Sequence, residues 1–213
     1  MASSVKLPLF PLQLVVFPGE ELNLHIFEPR YRQLISDTEV SGQTFGIPTV
    51  LDGKMMKVAT EVKLLEVSKR YPSGESDVKT AAKRVFFLEN YETNLGKKLY
   101  AGGNVRFVDL DMAEDPVINE EIILLTKEIY RRLRVDREVK EAAEGFCTYD
   151  IAHYVGMSRE QEYELLTLFN ALDRQQFLLE HLHAIRPEIE ERLDIRAKAL
   201  MNGHFKHLSP PNF

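Results

Sequence analysis

The sequence predicts an α+β chain in two parts, a β-rich N-terminal region followed by an α-helical one, and three observations predict it. Up to about Asp111, apolar residues alternate with polar ones at the period of strands and are punctuated by proline and glycine. Beyond Asp111 they recur every three or four positions, the period of an amphipathic helix. The 213 residues, 44% of them hydrophobic, suffice for a real core. A chain of this length removes roughly 70% of its unfolded surface from water, so no disulfide or metal staple is required. The change of period divides the chain into residues 1–111 and 112–213, with a loosely ordered tail expected from about residue 203.

The opening run LPLFPLQLVVFPGEELNLHIFEPRY contains Pro8, Pro11 and Pro18, which cannot donate ladder hydrogen bonds. Short extended pieces are therefore expected, with Phe17-Pro18-Gly19 turning the chain. Leu22, Leu24 and Ile26 alternate with polar residues as a strand, and Glu28-Pro29 enters a short helix over Arg30 to Ser36. Val58, Thr60, Val62 and Leu64 share one strand face, whereas Leu65 and Val67 continue with opposite parity, which predicts a β-bulge. Pro72-Ser73-Gly74 is turn chemistry before a strand from about Asp77 to Glu89, and another strand is expected around Lys98 to Asp109. Successive strands of this kind suggest a strongly bent sheet or a barrel.

In the second half, Asp115 and Pro116 are suited to cap and open a helix whose apolar face is Ile118, Ile122, Leu125, Ile129 and Leu133. Ser158 and Gln161 form a capping box ahead of Leu165, Leu168, Phe169 and Leu172, which fit one helical stripe. Asp173 is the expected cap of a final helix that keeps its phase through Pro187, kinked or divided there.

Charge and motifs narrow the function. The net charge is −6, with +1 on residues 1–110 and −7 on the remainder, a balance that argues against nucleic acid as the main partner. Lys69, Arg70, Lys79, Lys83 and Arg84 could still meet across a hairpin as a local basic patch, although such charges commonly protect strand edges. No run approaches a membrane span, and Met1 to Lys6 lacks a basic segment followed by an apolar signal core, so a cytoplasmic protein is expected. The single cysteine, Cys147, lies six positions from His153, too far for neighbours on a helix, and is read as a buried inert thiol. A phosphate-binding loop ending in GK and a G-x-S-x-G elbow are both missing, and the histidines lack the spacing of a zinc site. No cofactor, metal or catalytic residue is expected. Acidic clusters such as Glu160, Glu162 and Glu164 read as a solvated helix face, and nothing selects a catalytic pair.

From Leu7 to Tyr31 the sequence resembles the opening signature of the Lon protease N-terminal, substrate-binding domain. Leu7, Pro8, Pro11, Phe17, Pro18 and Gly19 stand where that family has its leucine-proline strand and phenylalanine-proline-glycine turn, and HIFEPRYR resembles stand-alone bacterial members. Phe45-Gly46-Ile47, Val58 to Val67, and SREQEYELLTLFNALDRQQFLLEHL continue the likeness. The resemblance implies a PUA-like β-barrel followed by a C-terminal α-helical bundle. The AAA+ ATPase and serine-lysine peptidase regions of a full Lon protease have no counterpart here, so a non-enzymatic adapter is expected instead of an ATP-dependent protease. Its implied partners are unfolded or extended polypeptides, received in an apolar groove or added as a strand to a free sheet edge. A separate protease or chaperone and a second copy of the chain remain open as further partners. Candidate polypeptide contacts are Phe27, Arg30 and Tyr31 near the motif helix, and His25, with packing of the barrel end as the alternative role of all four. RNA binding, by analogy with the barrel, and an unrecognised hydrolase are the competing functions.

Overall fold

A computed structural model describes residues 4–204, with side chains as far as Pro187 and at Ile189. The expected tail from about residue 203 lies almost wholly outside these residues. Six strands form one sheet: β1 (Val5–Leu9), β2 (Glu21–Ile26), β3 (Phe45–Leu51), β4 (Lys54–Arg70), β5 (Ser76–Leu88) and β6 (Ala101–Phe107). Their order is β2-β5-β4-β3-β1-β6, and β5 also pairs with β6 through Phe86↔Phe107 and Leu88↔Val105. All pairings of named strands are antiparallel except β1 with β3.

The prolines act as expected. Between β1 and β2 the chain forms only an isolated bridge, Leu12↔Thr49, and turns at Gly19, whose φ of 86° favours glycine. The phase slip in β4 is a bulge: Leu64 faces Thr80 and Glu66 faces Lys79, which leaves Leu65 unpaired and exposed.

Helix α1 (Pro29–Ser41) is longer than the Arg30 to Ser36 expected. Tyr31, Leu34, Ile35 and Thr38 all lie on its buried face, and Gly42 ends it with φ 68° and an N–H bond to the Thr38 carbonyl. In α2 (Pro116–Leu133), the Asp115 carboxylate accepts from the N–H groups of Val117 and Ile118, as the cap reading required. Its buried face includes Ile122, Ile123, Ile129 and Tyr130, while Leu133 at the end is exposed.

The capping box of Ser158 and Gln161 opens α3 (Arg159–Thr167), but the stripe that follows is not one helix. The chain becomes extended at Leu168, and α4 (Ala171–His204) starts a new direction that leaves Leu172 exposed. Asn170, not Asp173, caps α4: its side-chain oxygen accepts from the N–H groups of Leu172 and Asp173. Pro187 lies inside α4, which continues through it as a single helix.

The parts share a core. Val15, Phe17, Val58 and Val85 from the sheet side pack with Tyr149, Ala152, Leu165 and Leu166 from the helical side. Arg174 on α4 is fully buried and donates to the carbonyls of Leu168 and Asp111, tying the connection after β6 to the helices. This arrangement places the turn before β2 directly against the short helical turns before α3.

Candidate functional site

At this junction lies a cleft of about 770 Å³. The register explains its position. On its outer edge β5 pairs with β2 from Ser76 to Ala81 and with β6 from Phe86 onward, so residues 82–85 stand between the two. Gly19 and Glu20 close on Ala82, and Val108 on Val85, which leaves the Lys83 and Arg84 side chains at the opening.

The floor is aromatic and aliphatic, with Phe17, Val85, Val108, Leu110 and Tyr149 among its residues. Phe17 stacks on Tyr149 with centroids 4.9 Å apart, and the Arg174 guanidinium lies 5.1 Å from the Tyr149 ring. Burial pushes the Tyr149 hydroxyl well above the ordinary tyrosine range. Met112 is half-exposed at the mouth.

Most rim charges are held by neighbours. Arg84 bonds the buried Glu61 carboxylate at 2.8 Å and covers the Phe107 ring at 3.5 Å. Arg137 lies 3.3 Å from the Tyr154 centroid, and Lys140 is 3.5 Å from Asp150. His153 bridges Glu162 at 2.8 Å and Glu20 at 3.3 Å. Burial would lower its pKa, but the bonds to these two carboxylates outweigh it and push the ring up to about 9, so it is an imidazolium at neutral pH.

Cys147 also lines the cleft, half-buried instead of fully buried as expected. Burial and the nearby Asp150 and Glu114 carboxylates push its thiol up to about 11, away from the thiolate a nucleophile needs. Among the described residues, no group of three or more His, Cys, Asp and Glu is placed to hold a metal ion.

The four residues singled out in the sequence lie elsewhere, at the far end of β2 and the start of α1. Phe27 is 59% exposed, and its ring stacks beside His25 at 6.2 Å. His25 is half-exposed, bonded through Nδ1 to Asp77 at 2.7 Å, with Tyr71 edge-on at 5.8 Å. Arg30 is exposed, pairs with Glu28 at 2.8 Å and lies over the Tyr31 ring. Tyr31 itself is only 6% exposed and packs on Phe10 with centroids 3.9 Å apart, so its ring is part of the core. The basic cluster is largely paired: Arg70 with Glu39, Lys79 with Glu66 and Arg84 with Glu61, while Lys69 lies over Tyr71.

Residues 6–184 match the family model of the ATP-dependent protease La (Lon) substrate-binding domain. The chain belongs to this family. Among solved structures it is similar to the Lon N-terminal domain protein from Xanthomonas campestris, with 28% identity and a TM-score of 0.63 over 83% of this chain and 98% of that one. It is also similar in fold to the N-terminal domain of Mycobacterium avium complex Lon protease, with 16% identity and a TM-score of 0.64 over 84% and 98%. No curated protein matches it. Membership of the Lon substrate-binding family makes this a substrate-recognition domain. Among the described residues, no helix is long and apolar enough to cross a membrane.

The cleft of this Lon-type domain is not legible in the sequence. Phe17, Pro18 and Gly19 were visible as a turn, but Glu20, Tyr149 and His153 carry no local motif. Their meeting depends on contacts across more than 100 residues, such as His153 with Glu20.

Proposed function

We propose that the chain is a non-enzymatic module that recognises unfolded or extended polypeptide segments, with the junction cleft seating the client's apolar side chains. The observation that carries this reading is the combination of an aromatic and aliphatic floor with a rim on which Arg84, Lys140 and His153 are already paired with carboxylates. Such a surface gains from covering apolar area and demands no particular charge from its client, the property a receptor for varied unfolded segments requires. His25, Phe27 and Arg30 form a second, exposed part of the proposed contact, and Tyr31 supports them from beneath.

The return pairing of β5 with β6 supports the barrel reading of the β-rich part, and the packing of α2 on α4 supports the helical-bundle reading. Division at residue 111 is proposed as a boundary between subdomains that share a core, in a cytoplasmic protein. The paired basic cluster supports polypeptide over RNA as the ligand. A hydrolase is supported least, because the cleft's histidine is held as an imidazolium and its thiol is kept protonated.

The test is a titration of a reduced, alkylated, fluorescently labelled polypeptide with the wild type and with Met112→Asp. Affinity is expected to fall at least tenfold in the variant without a change in thermal midpoint. Equal affinity would remove the cleft from the account.

A further inference from the structure

We infer that the outer edge of β2 is a strand-addition seat, on which an extended polypeptide lies with one end entering the cleft and the other reaching Phe27. This deepens the polypeptide-recognition reading and rests on it. β2 is the terminal strand in the sheet order, and among the described residues no strand pairs with its outer side. The register with β5 is regular over six pairs, from Glu21↔Ala81 to Ile26↔Ser76.

The hydrogen bonds determine which main-chain groups face outward. Ala82 N–H donates to the Glu20 carbonyl, and the Thr80 hydroxyl donates to the Leu22 carbonyl, so even-numbered residues of this stretch turn their peptide groups toward β5. The alternation of an antiparallel ladder then turns the N–H and C=O of Glu21, Asn23 and His25 toward the open edge. These three residues are exposed, whereas Leu22, Leu24 and Ile26 face the core.

Proteins commonly block such an edge with proline, lysine or a bulge. The strand ELNLHI has neither residue, and its register has no shift, in contrast to the three shifts between β4 and β5. An unblocked row of alternating donors and acceptors is complementary to an extended main chain and indifferent to its side chains. Glu21 belongs to both the edge and the cleft lining, so the surfaces are continuous. Six residues of strand provide about 20 Å of path between the cleft and Phe27.

The experiment uses a labelled ten-residue peptide of alternating leucine and serine, the same peptide N-methylated at four consecutive residues, and amide hydrogen exchange by NMR. The unmodified peptide is expected to slow exchange at Asn23 and His25 at least tenfold. The N-methylated peptide and the Asn23→Pro variant, which removes an outward N–H and leaves the bonds to β5, are each expected to weaken binding at least tenfold. Unchanged exchange on the wild type together with equal binding of both peptides would overturn the strand seat. If Met112→Asp still weakened binding in that case, recognition through the cleft would stand alone. Absence of binding by either peptide and by the longer unfolded polypeptide would overturn both readings.

Discussion

His153 Nε2 lies 3.3 Å from the Glu20 carboxylate, and its other ring nitrogen lies 2.8 Å from Glu162, so one imidazolium joins the turn before β2 to α3 beside the cleft. The ring is also seated on Phe17, with centroids 4.8 Å apart. Apolar packing and charge thus act on the same seam between the sheet and the helices.

This bridge predicts a pH dependence. The folded pKa of His153, about 9, lies above the ordinary value of 6.5, so its stabilisation is fully present below about 6.5 and is lost as pH rises through about 9. His153→Gln is expected to cost about 3 kcal/mol at pH 6. Urea unfolding of both proteins between pH 6 and 10 checks this. The difference should shrink with rising pH, and a constant difference would show that packing, not charge, holds the seam.

A core prediction concerns Gly46 on β3. An added Cβ would meet Phe86 Cζ at 2.5 Å and Leu9 Cδ2 at 2.9 Å, and both side chains are fully buried. Gly46→Ala is expected to destabilise by about 1–3 kcal/mol through overpacking, measured by chemical denaturation. Gly42→Ala meets no atom within 4 Å and should cost only the strain of its positive φ, about 1 kcal/mol.

How much of this was legible in the sequence follows from the range of the interactions. Asp115, the Ser158–Gln161 box and the bulge at Leu65 were readable because caps and parity slips involve residues a few positions apart. The break at Leu168 was not, because Leu165, Leu168 and Phe169 keep helical spacing and also pack into the shared core when the helix stops. Arg174 bonds to the carbonyl of Leu168, a tertiary demand that local periodicity does not reveal. For the site, sequence pointed to the exposed aromatic end of β2 but also selected Tyr31, whose ring is buried. It gave no reason to join Phe17 with Tyr149, since that stacking depends on the docking of the two parts.

The contrast between neighbours on the β2–α1 segment yields another prediction. Tyr31→Ala removes a ring packed on Phe10 and should destabilise by about 3–5 kcal/mol. Phe27→Ala should leave stability within about 0.5 kcal/mol of the wild type while lowering affinity for an unfolded polypeptide. Thermal unfolding and anisotropy on the same preparations separate these effects, and a large stability loss in Phe27→Ala would reassign that ring to packing.

The cap of α2 offers a local test. Asp115→Ala removes an acceptor 2.8 Å from the Val117 N–H and is expected to cost about 1 kcal/mol. Asp115→Asn should recover most of it, and failure to recover would mean that charge contributes more than the hydrogen bond.

Recognition of unfolded polypeptide is tested by fluorescence anisotropy of a labelled, permanently unfolded chain titrated with this protein, with the folded counterpart as competitor and salt varied. Saturable binding, little affected by salt and not displaced by the folded competitor, is expected. Absence of binding up to high micromolar concentration, or equal displacement by the folded form, would contradict it.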